Sequence, residues 1–166
     1  MHRKNVAYYG LFAALAILMG YVELLIPIPL LVPGMKLGLA NVVVVIVLYF
    51  MDARAAFFIS VVRVLLSGLL FAGFAGLLYS LSGALFSLCI MVLLKKTGKF
   101  SIIGVSVAGG VFHNIGQILV AALVVENIRL MYYLPFLLFF GVTTGAVIGI
   151  VARMTLGYLK RHFSRG

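Results

Sequence analysis

The sequence predicts an all-α integral membrane protein, a bundle of six transmembrane helices with both ends of the chain in the cytoplasm. Three observations predict it. Of the 166 residues, 65% are hydrophobic and only 10% are charged, whereas about a quarter of the residues in a soluble domain are charged. Apolar stretches long enough to cross a bilayer recur along the chain. The basic residues flank these stretches in ones, twos and threes, as they do in membrane proteins.

The composition also argues against several other classes of protein. The net charge of +10 does not indicate nucleic-acid binding, because no basic stripe interleaved with aromatic residues is present. The single cysteine, Cys89, excludes an intrachain disulfide and a cysteine-based metal site. Arg3 and Lys4 resemble the start of a signal peptide, but the apolar segment after them is long and lacks a convincing cleavage site. We therefore interpret this segment as the first membrane helix.

The first two predicted spans are separated by a proline-containing loop. The first covers residues 5–26 and ends where Pro27 and Pro29 lack the amide hydrogen that a helix interior needs. The second begins at Leu37 and contains the run VVVVIV at residues 42–47, which in water would suggest a buried strand. An isolated strand would leave backbone groups unpaired in lipid, so a helix is predicted.

Short polar or glycine-containing segments separate the remaining spans. Asp52 and Arg54 form a polar turn before the third span, and Gly73 and Gly76 mark a tight turn before the fourth. The runs KKTGK and ENIR are polar connections before the fifth and sixth spans. One membrane domain covering residues 1–166 is predicted, with spans near residues 5–26, 37–51, 55–70, 74–94, 102–125 and 134–158.

The distribution of basic residues predicts the orientation. Ten of them lie near the two termini and the second and fourth loops, and only Lys36 and Arg129 lie on the opposite side. Because basic residues are enriched on the cytoplasmic side, both termini are predicted to be cytoplasmic. The ten residues are Arg3, Lys4, Arg54, Lys95, Lys96, Lys99, Arg153, Lys160, Arg161 and Arg165.

Several polar residues lie inside the apolar segments, where they are energetically costly. Their predicted depth places them between the middle of the bilayer and the extracellular side, so they predict a polar pocket that opens outward. Cationic Arg63 and Lys36 suit a carboxylate or phosphate ligand. The candidate substrate-binding residues are Glu23, Lys36, Asn41, Arg63, His113, Asn114 and Gln117.

Each of these residues also has a structural interpretation. Arg63 can bridge helix-end carbonyls or pair with Glu23 to fix the packing, and Lys36 can extend its side chain to the interface. The three polar residues of the fifth span can form hydrogen bonds between helices, each typically worth under about 2 kcal/mol. The cluster as a whole supports a site more strongly than any single member does.

Small residues form a second pattern. They are spaced four apart on the first and sixth spans, and such faces let helix backbones approach closely. These faces either pack within the chain or dock a separate membrane subunit. The pairs are Gly10 with Ala14 and Ala16 with Gly20 on the first span, and the repeat on the sixth span is Gly141, Gly145 and Gly149.

Two motifs carry a family resemblance that covers nearly the whole chain. The run GMKLGLAN at residues 34–41, together with Arg63 and the run HNIGQ at residues 113–117, resembles the Gx transporter family, which also bears the name heptaprenyl diphosphate synthase component I. That family in turn resembles the substrate-binding S components of energy-coupling factor (ECF) vitamin transporters. The resemblance implies a six-helix protein of the bacterial cell membrane with cytoplasmic termini.

In S components a small-residue face of the first helix docks the transmembrane coupling subunit, which works with ATPases. The residues that fit this role here are Gly10, Ala14, Ala16 and Gly20.

Catalysis by this chain alone is not expected. Prenyl diphosphate synthases hold their substrates through Mg²⁺ bridged by aspartate-rich motifs, and this chain has one aspartate, Asp52, and two glutamates far apart. It also lacks a nucleophile–base arrangement, a nucleotide-binding glycine loop and a zinc motif. No metal and no cofactor is therefore predicted.

Two functions fit these residues. The preferred one is a substrate-binding subunit for uptake of a small polar or anionic solute, such as a vitamin, flavin or isoprenoid precursor. Without a Walker motif, its energy would come from a partner ATPase or an ion gradient. The alternative is a non-catalytic accessory membrane subunit of polyprenyl diphosphate or quinone metabolism, in which the cluster would bind a lipid diphosphate or quinone headgroup. In a third, purely structural role no pocket would form.

Overall fold

The computed structural model describes residues 2–25 and 38–163. Within these ranges nearly every residue is helical and no strand occurs, which confirms the prediction of an all-α protein. A π-helical turn, Gly68–Ala72, joins the third helix to the fourth, and a 3₁₀ helix, Ile128–Tyr133, precedes the sixth. The α-helices are α1 His2–Leu25, α2 Asn41–Phe50, α3 Ala53–Ser67, α4 Gly73–Thr97, α5 Ile102–Val124 and α6 Leu134–Phe163.

Five helical segments are long and apolar enough to cross a membrane, and α2 is the exception. Its ten residues, rising 1.5 Å each, span about 15 Å, which is half of a hydrocarbon core of about 30 Å. Residues 26–37, which include the predicted break at Pro27 and Pro29 and the start of the second span, lie outside the described residues. The long apolar helices confirm a membrane-type protein, and the six-crossing count stays a prediction.

Local signals set the helix ends near the basic side of the bundle. The Ala55 amide donates to Asp52 Oδ1 at 2.7 Å, so Asp52 caps the start of α3. The hydroxyl of Ser101 likewise accepts from the Gly104 amide at 3.1 Å at the start of α5. Past the end of α4, Gly98 adopts φ +68°, a left-handed conformation that favours glycine.

Helix α2 is the centre of the hydrophobic core. Residues 43–48 are all buried, in one cluster with side chains from each of the other five helices. Near the C-terminal end of α2, Lys95 Nζ of α4 donates to the Leu48 carbonyl and lies 5.0 Å from the centroid of the Tyr49 ring. The β-branched run of the sequence therefore forms a short helix surrounded by protein.

Helices α5 and α6 pack along a seam of glycines. A Cβ added to Gly145 would lie 2.7 Å from Val107 Cα, and one added to Gly149 would lie 2.7 Å from Ile103 Cα. Gly141 meets the Gly110 carbonyl oxygen in the same way, at 2.9 Å. The small-residue repeat of the sixth span thus packs within the chain, where backbone contact replaces side chains.

Candidate ligand-binding site

Polar side chains from four helices meet in the interior at the N-terminal end of α2. We call this set the polar cluster, and each member is at most 7% exposed. The helices α2 and α3 are joined by the short turn at Asp52, with Asn41 and Arg63 each eleven residues from it. Equal arm lengths bring these two side chains to one depth, about 15 Å from the turn. The members of the polar cluster are Glu23 of α1, Asn41 of α2, Arg63 of α3, and His113 and Gln117 of α5.

Gly38 connects three members of the polar cluster. Its amide donates to Glu23 Oε1 at 2.6 Å. Its φ of +85° lies in the region that favours glycine, and an added Cβ would lie 2.9 Å from Asn41 Nδ2 and 3.3 Å from His113 Cδ2. Gly38 therefore suits this position for both conformation and space. The sequence places it inside a family motif, but it was not predicted as a site residue.

Arg63 is the cation of the polar cluster. Its Nη2 donates to Asn41 Oδ1 at 3.3 Å, and the Glu23 carboxylate interacts with it electrostatically. Its Nε is buried and makes no hydrogen bond within the described part of the chain. A guanidinium in this state retains donor capacity for a carboxylate or phosphate.

The two α5 members of the polar cluster, His113 and Gln117, pack against a glycine of α4. A Cβ added to Gly83 would lie 2.8 Å from Gln117 Cγ and 3.0 Å from His113 Cε1. Gln117 is 0% exposed, and neither its Oε1 nor its Nε2 has a hydrogen-bond partner among the described residues. An unsatisfied buried amide costs about 1–3 kcal/mol, so water or a ligand normally satisfies it.

Sequence reasoning missed the contribution of α4. Ser80, Gly83 and Ser87 are buried on this helix at spacings of three and four, which is the spacing of one helical face. That spacing was the available signal, because small and hydroxyl residues recur there in an otherwise apolar segment.

Two of the predicted site residues are not members of the polar cluster as described. Asn114 Nδ2 donates to the Leu137 carbonyl of α6 at 2.7 Å, so its side chain ties α5 to α6 and lies apart from the polar cluster. Lys36 falls outside the described residues. Of the seven predicted substrate-binding residues, five form the polar cluster.

The α2 N-terminus adds a positive potential to this region. The first amides of a helix lack intrahelical partners and carry the positive end of its dipole. Here Asn41 N donates to Gly38 O at 2.8 Å and Val42 N to Leu39 O at 3.1 Å, which closes the first turn.

The carboxylates of the chain have separate structural settings. Asp52 caps α3, Glu23 accepts from Gly38, and Glu126 is exposed in a turn with φ 54°. In the two described ranges, no group of three or more His, Cys, Asp or Glu residues could hold a metal ion.

The predicted docking residues of α1 divide between two faces. Gly10 and Ala14 are exposed, whereas Ala16 and Gly20 are buried. Ala16 belongs to the core around α2. Only the first pair therefore lies on the outer surface of the described chain.

Comparison with known proteins gives the family. The profile described as heptaprenyl diphosphate synthase component I matches residues 12–155. The chain belongs to this family. The match includes every residue of the polar cluster and confirms the resemblance to the family named heptaprenyl diphosphate synthase component I. The resemblance to Gx transporters and to S components stays a prediction. No curated protein and no solved structure matches the chain.

Proposed function

We propose that this member of the heptaprenyl diphosphate synthase component I family is a membrane substrate-binding subunit that captures a small anionic solute in the polar cluster. The observation that carries the proposal is a fully buried amide, Gln117, without a hydrogen-bond partner in the described chain, in the same cluster as the buried guanidinium of Arg63. Catalysis by the chain itself is not part of the proposal, since its one aspartate serves as a helix cap.

The contrast with Asn114 supports a ligand over packing. A polar residue that serves packing is satisfied by a neighbouring helix, as Asn114 is by the Leu137 carbonyl. Gln117 lies one turn away on the same helix and has no such bond within the described residues. Its amide can donate and accept hydrogen bonds, so it can bind both acceptor and donor groups of a ligand.

The charges of the polar cluster favour an anion. The Glu23 carboxylate already accepts a hydrogen bond from the Gly38 amide, and it attracts the Arg63 guanidinium electrostatically. The α2 N-terminus adds partial positive charge beside Asn41. A carboxylate or phosphate group would take the remaining guanidinium donors, and Asn41, His113 and Gln117 would set the hydrogen-bond specificity.

The direction of access follows from the charge distribution. Ten basic residues against two favour cytoplasmic termini, so α2 separates the polar cluster from the cytoplasm and the cluster opens outward. In this proposal the predicted second span, residues 37–51, completes the six crossings of a single bundle in the bacterial cell membrane. Energy would come from a partner, for which the exposed pair Gly10 and Ala14 on α1 is the proposed contact, similar to S components.

The family gives a second candidate function. The profile that matches residues 12–155 is named for a component of a heptaprenyl diphosphate synthase. In this alternative the chain is a non-catalytic accessory membrane subunit, and the polar cluster binds the diphosphate of an isoprenoid or the headgroup of a quinone. The charge argument holds for a diphosphate as well, but a lipid ligand also needs a lateral path for its tail.

Mass spectrometry of small molecules that co-purify with the protein tests the proposal. We expect wild type to retain an anionic compound and Arg63→Ala to retain it about 10- to 100-fold less, because hydrogen bonds to charged groups contribute about 1.5–3 kcal/mol. Arg54→Ala is the matched control, since Arg54 is exposed on the same helix. A water-soluble acid supports solute capture, and a prenyl diphosphate supports the alternative. Equal retention by wild type and Arg63→Ala would rule out the polar cluster as the site.

A further inference from the structure

A second basic site lies far from the polar cluster, at the C-terminal end of α6. A groove of about 420 Å³ runs between the start of α5 and the end of α6. Arg153 and Arg161 both border it, and its remaining lining is apolar or aromatic, including Ile150, Met154 and Tyr158. Among the described residues, no acidic side chain contributes to this lining.

The spacing of the two arginines creates a notch. Arg153, Gly157 and Arg161 follow one another at intervals of four residues, so they lie along one helical face. Gly157 is exposed, and a Cβ added there would have no neighbour within 4 Å. The glycine therefore leaves an open space between two guanidinium-bearing residues.

The length of α6 places this notch at the membrane surface. The helix has 30 residues, about 45 Å, whereas about 20 residues cross the hydrocarbon core. Counted from Leu134, the core ends near Arg153, so the notch lies at the depth of lipid phosphates. Ile150 and Met154 continue the groove toward the hydrocarbon.

We propose that this groove binds an anionic phospholipid, with its phosphate in the notch between Arg153 and Arg161 and an acyl chain along the apolar side chains. The argument is charge complementarity at the correct depth. Guanidinium groups bind phosphate bidentately, and basic grooves between membrane helices recognise anionic headgroups. A phospholipid also supplies the apolar tail that the rest of the lining requires.

Native mass spectrometry of the delipidated protein in detergent tests this site. The probes are dioleoylphosphatidylglycerol and dioleoylphosphatidylethanolamine, which share their acyl chains and differ in net charge. We expect wild type to retain the anionic lipid about tenfold more than the zwitterionic lipid. Arg153→Gln with Arg161→Gln should remove this preference, and Arg54→Gln, at the same basic end of the bundle, should leave it unchanged.

Gly157→Leu tests the notch without changing the charge. Leucine has a higher helix propensity than glycine and meets open space here, so the fold should be retained while anionic-lipid binding falls several-fold. If the double arginine variant does not fold, Gly157→Leu alone tests whether the notch binds the anionic lipid. Equal retention of the two lipids by wild type, an equal loss in Arg54→Gln, or full binding by Gly157→Leu would each overturn the site. Displacement of the lipid by farnesyl diphosphate at equal concentration would overturn the choice of a phospholipid as occupant.

Discussion

Helix α5 packs against α6 on one side and contributes to the polar cluster on the other. The two sides differ in whether their polar side chains are hydrogen-bonded. On the α6 side, backbones approach through Gly110 and Gly145, and the polar Asn114 is satisfied by a carbonyl. On the cluster side, Gln117 is buried without a hydrogen-bond partner in the described structure. One helix thus carries a face whose polar group is hydrogen-bonded and a face whose polar group is not, and the proposed ligand would lie at the second.

The largest effect is expected from filling the glycine seam. In Gly145→Leu, the first added carbon would lie 2.7 Å from Val107 Cα and 2.8 Å from the Ser106 carbonyl oxygen. Backbone atoms cannot turn away as a flexible side chain can, so we expect a loss of about 3 kcal/mol or more, or no folded protein. Unfolding in detergent, followed by circular dichroism, measures it.

The matched control for the seam is Gly10→Leu. A Cβ at this exposed position has no neighbour within 4 Å, so stability should be unchanged or rise by about 1 kcal/mol through helix propensity. Equal losses in the two variants would mean that close α5–α6 contact is not what stabilises this face.

On the cluster side, Gly38→Ala should have the next largest effect. Its φ of +85° strains any residue with a Cβ, and that atom would also collide with Asn41 Nδ2 at 2.9 Å. We expect a loss of about 2 kcal/mol in unfolding free energy, together with weaker ligand retention. Gly98→Ala separates the two causes, because Gly98 has φ +68° and open space around it. Similar losses of both stability and ligand in the two variants would contradict the role of Gly38 at the site.

A pair of substitutions compares the two faces of α5 directly. Asn114→Leu removes a hydrogen bond to α6 and should destabilise the protein by about 0.6–2 kcal/mol. Gln117→Leu replaces an amide that has no partner in the described chain, so in ligand-free protein it should be neutral or stabilising by about 1–3 kcal/mol. Ligand retention should fall only in the second variant. Destabilisation by Gln117→Leu comparable to that by Asn114→Leu would assign Gln117 to packing.

The smallest effect is expected at Ser82 on α4. Its hydroxyl lies 2.9 Å from both the Gly116 carbonyl of α5 and the Tyr79 carbonyl of its own helix. A single hydroxyl hydrogen shared between two acceptors contributes little, so Ser82→Ala should cost about 0.6 kcal/mol. A loss above about 2 kcal/mol in thermal unfolding would show that α4 and α5 depend on this bond far more than membrane helices usually do.

The class of fold and most members of the polar cluster could be predicted from the sequence, because both depend on features that are local in the chain. Polar residues within apolar segments are recognised directly in the sequence. Asn41 and Arg63 are equally many residues from the turn at Asp52, which places them at one depth. The orientation of a side chain around its helix axis was harder to predict. Asn114 follows His113 directly, yet a rotation of about 100° turns it to α6.

Packing partners were the other part that the sequence left open. The glycine repeat of α6 and the small residues of α1 have the same spacing, and nothing in that spacing tells an internal seam from an outer face. In the structure Gly141 contacts α5, while Gly10 and Ala14 are exposed. Glycines that act only by leaving space, such as Gly83, have no chemical signature in the sequence and become visible through their neighbours.

The short helix α2 also has a consequence for permeability. Between the polar cluster and the turn at Asp52, its buried residues 43–48 form an apolar layer about 9 Å thick. In the proposed function, protons and small anions that reach the polar cluster would therefore meet an insulating barrier on the basic side. Passage of a solute through this layer would require α2 to move and Lys95 to release the Leu48 carbonyl.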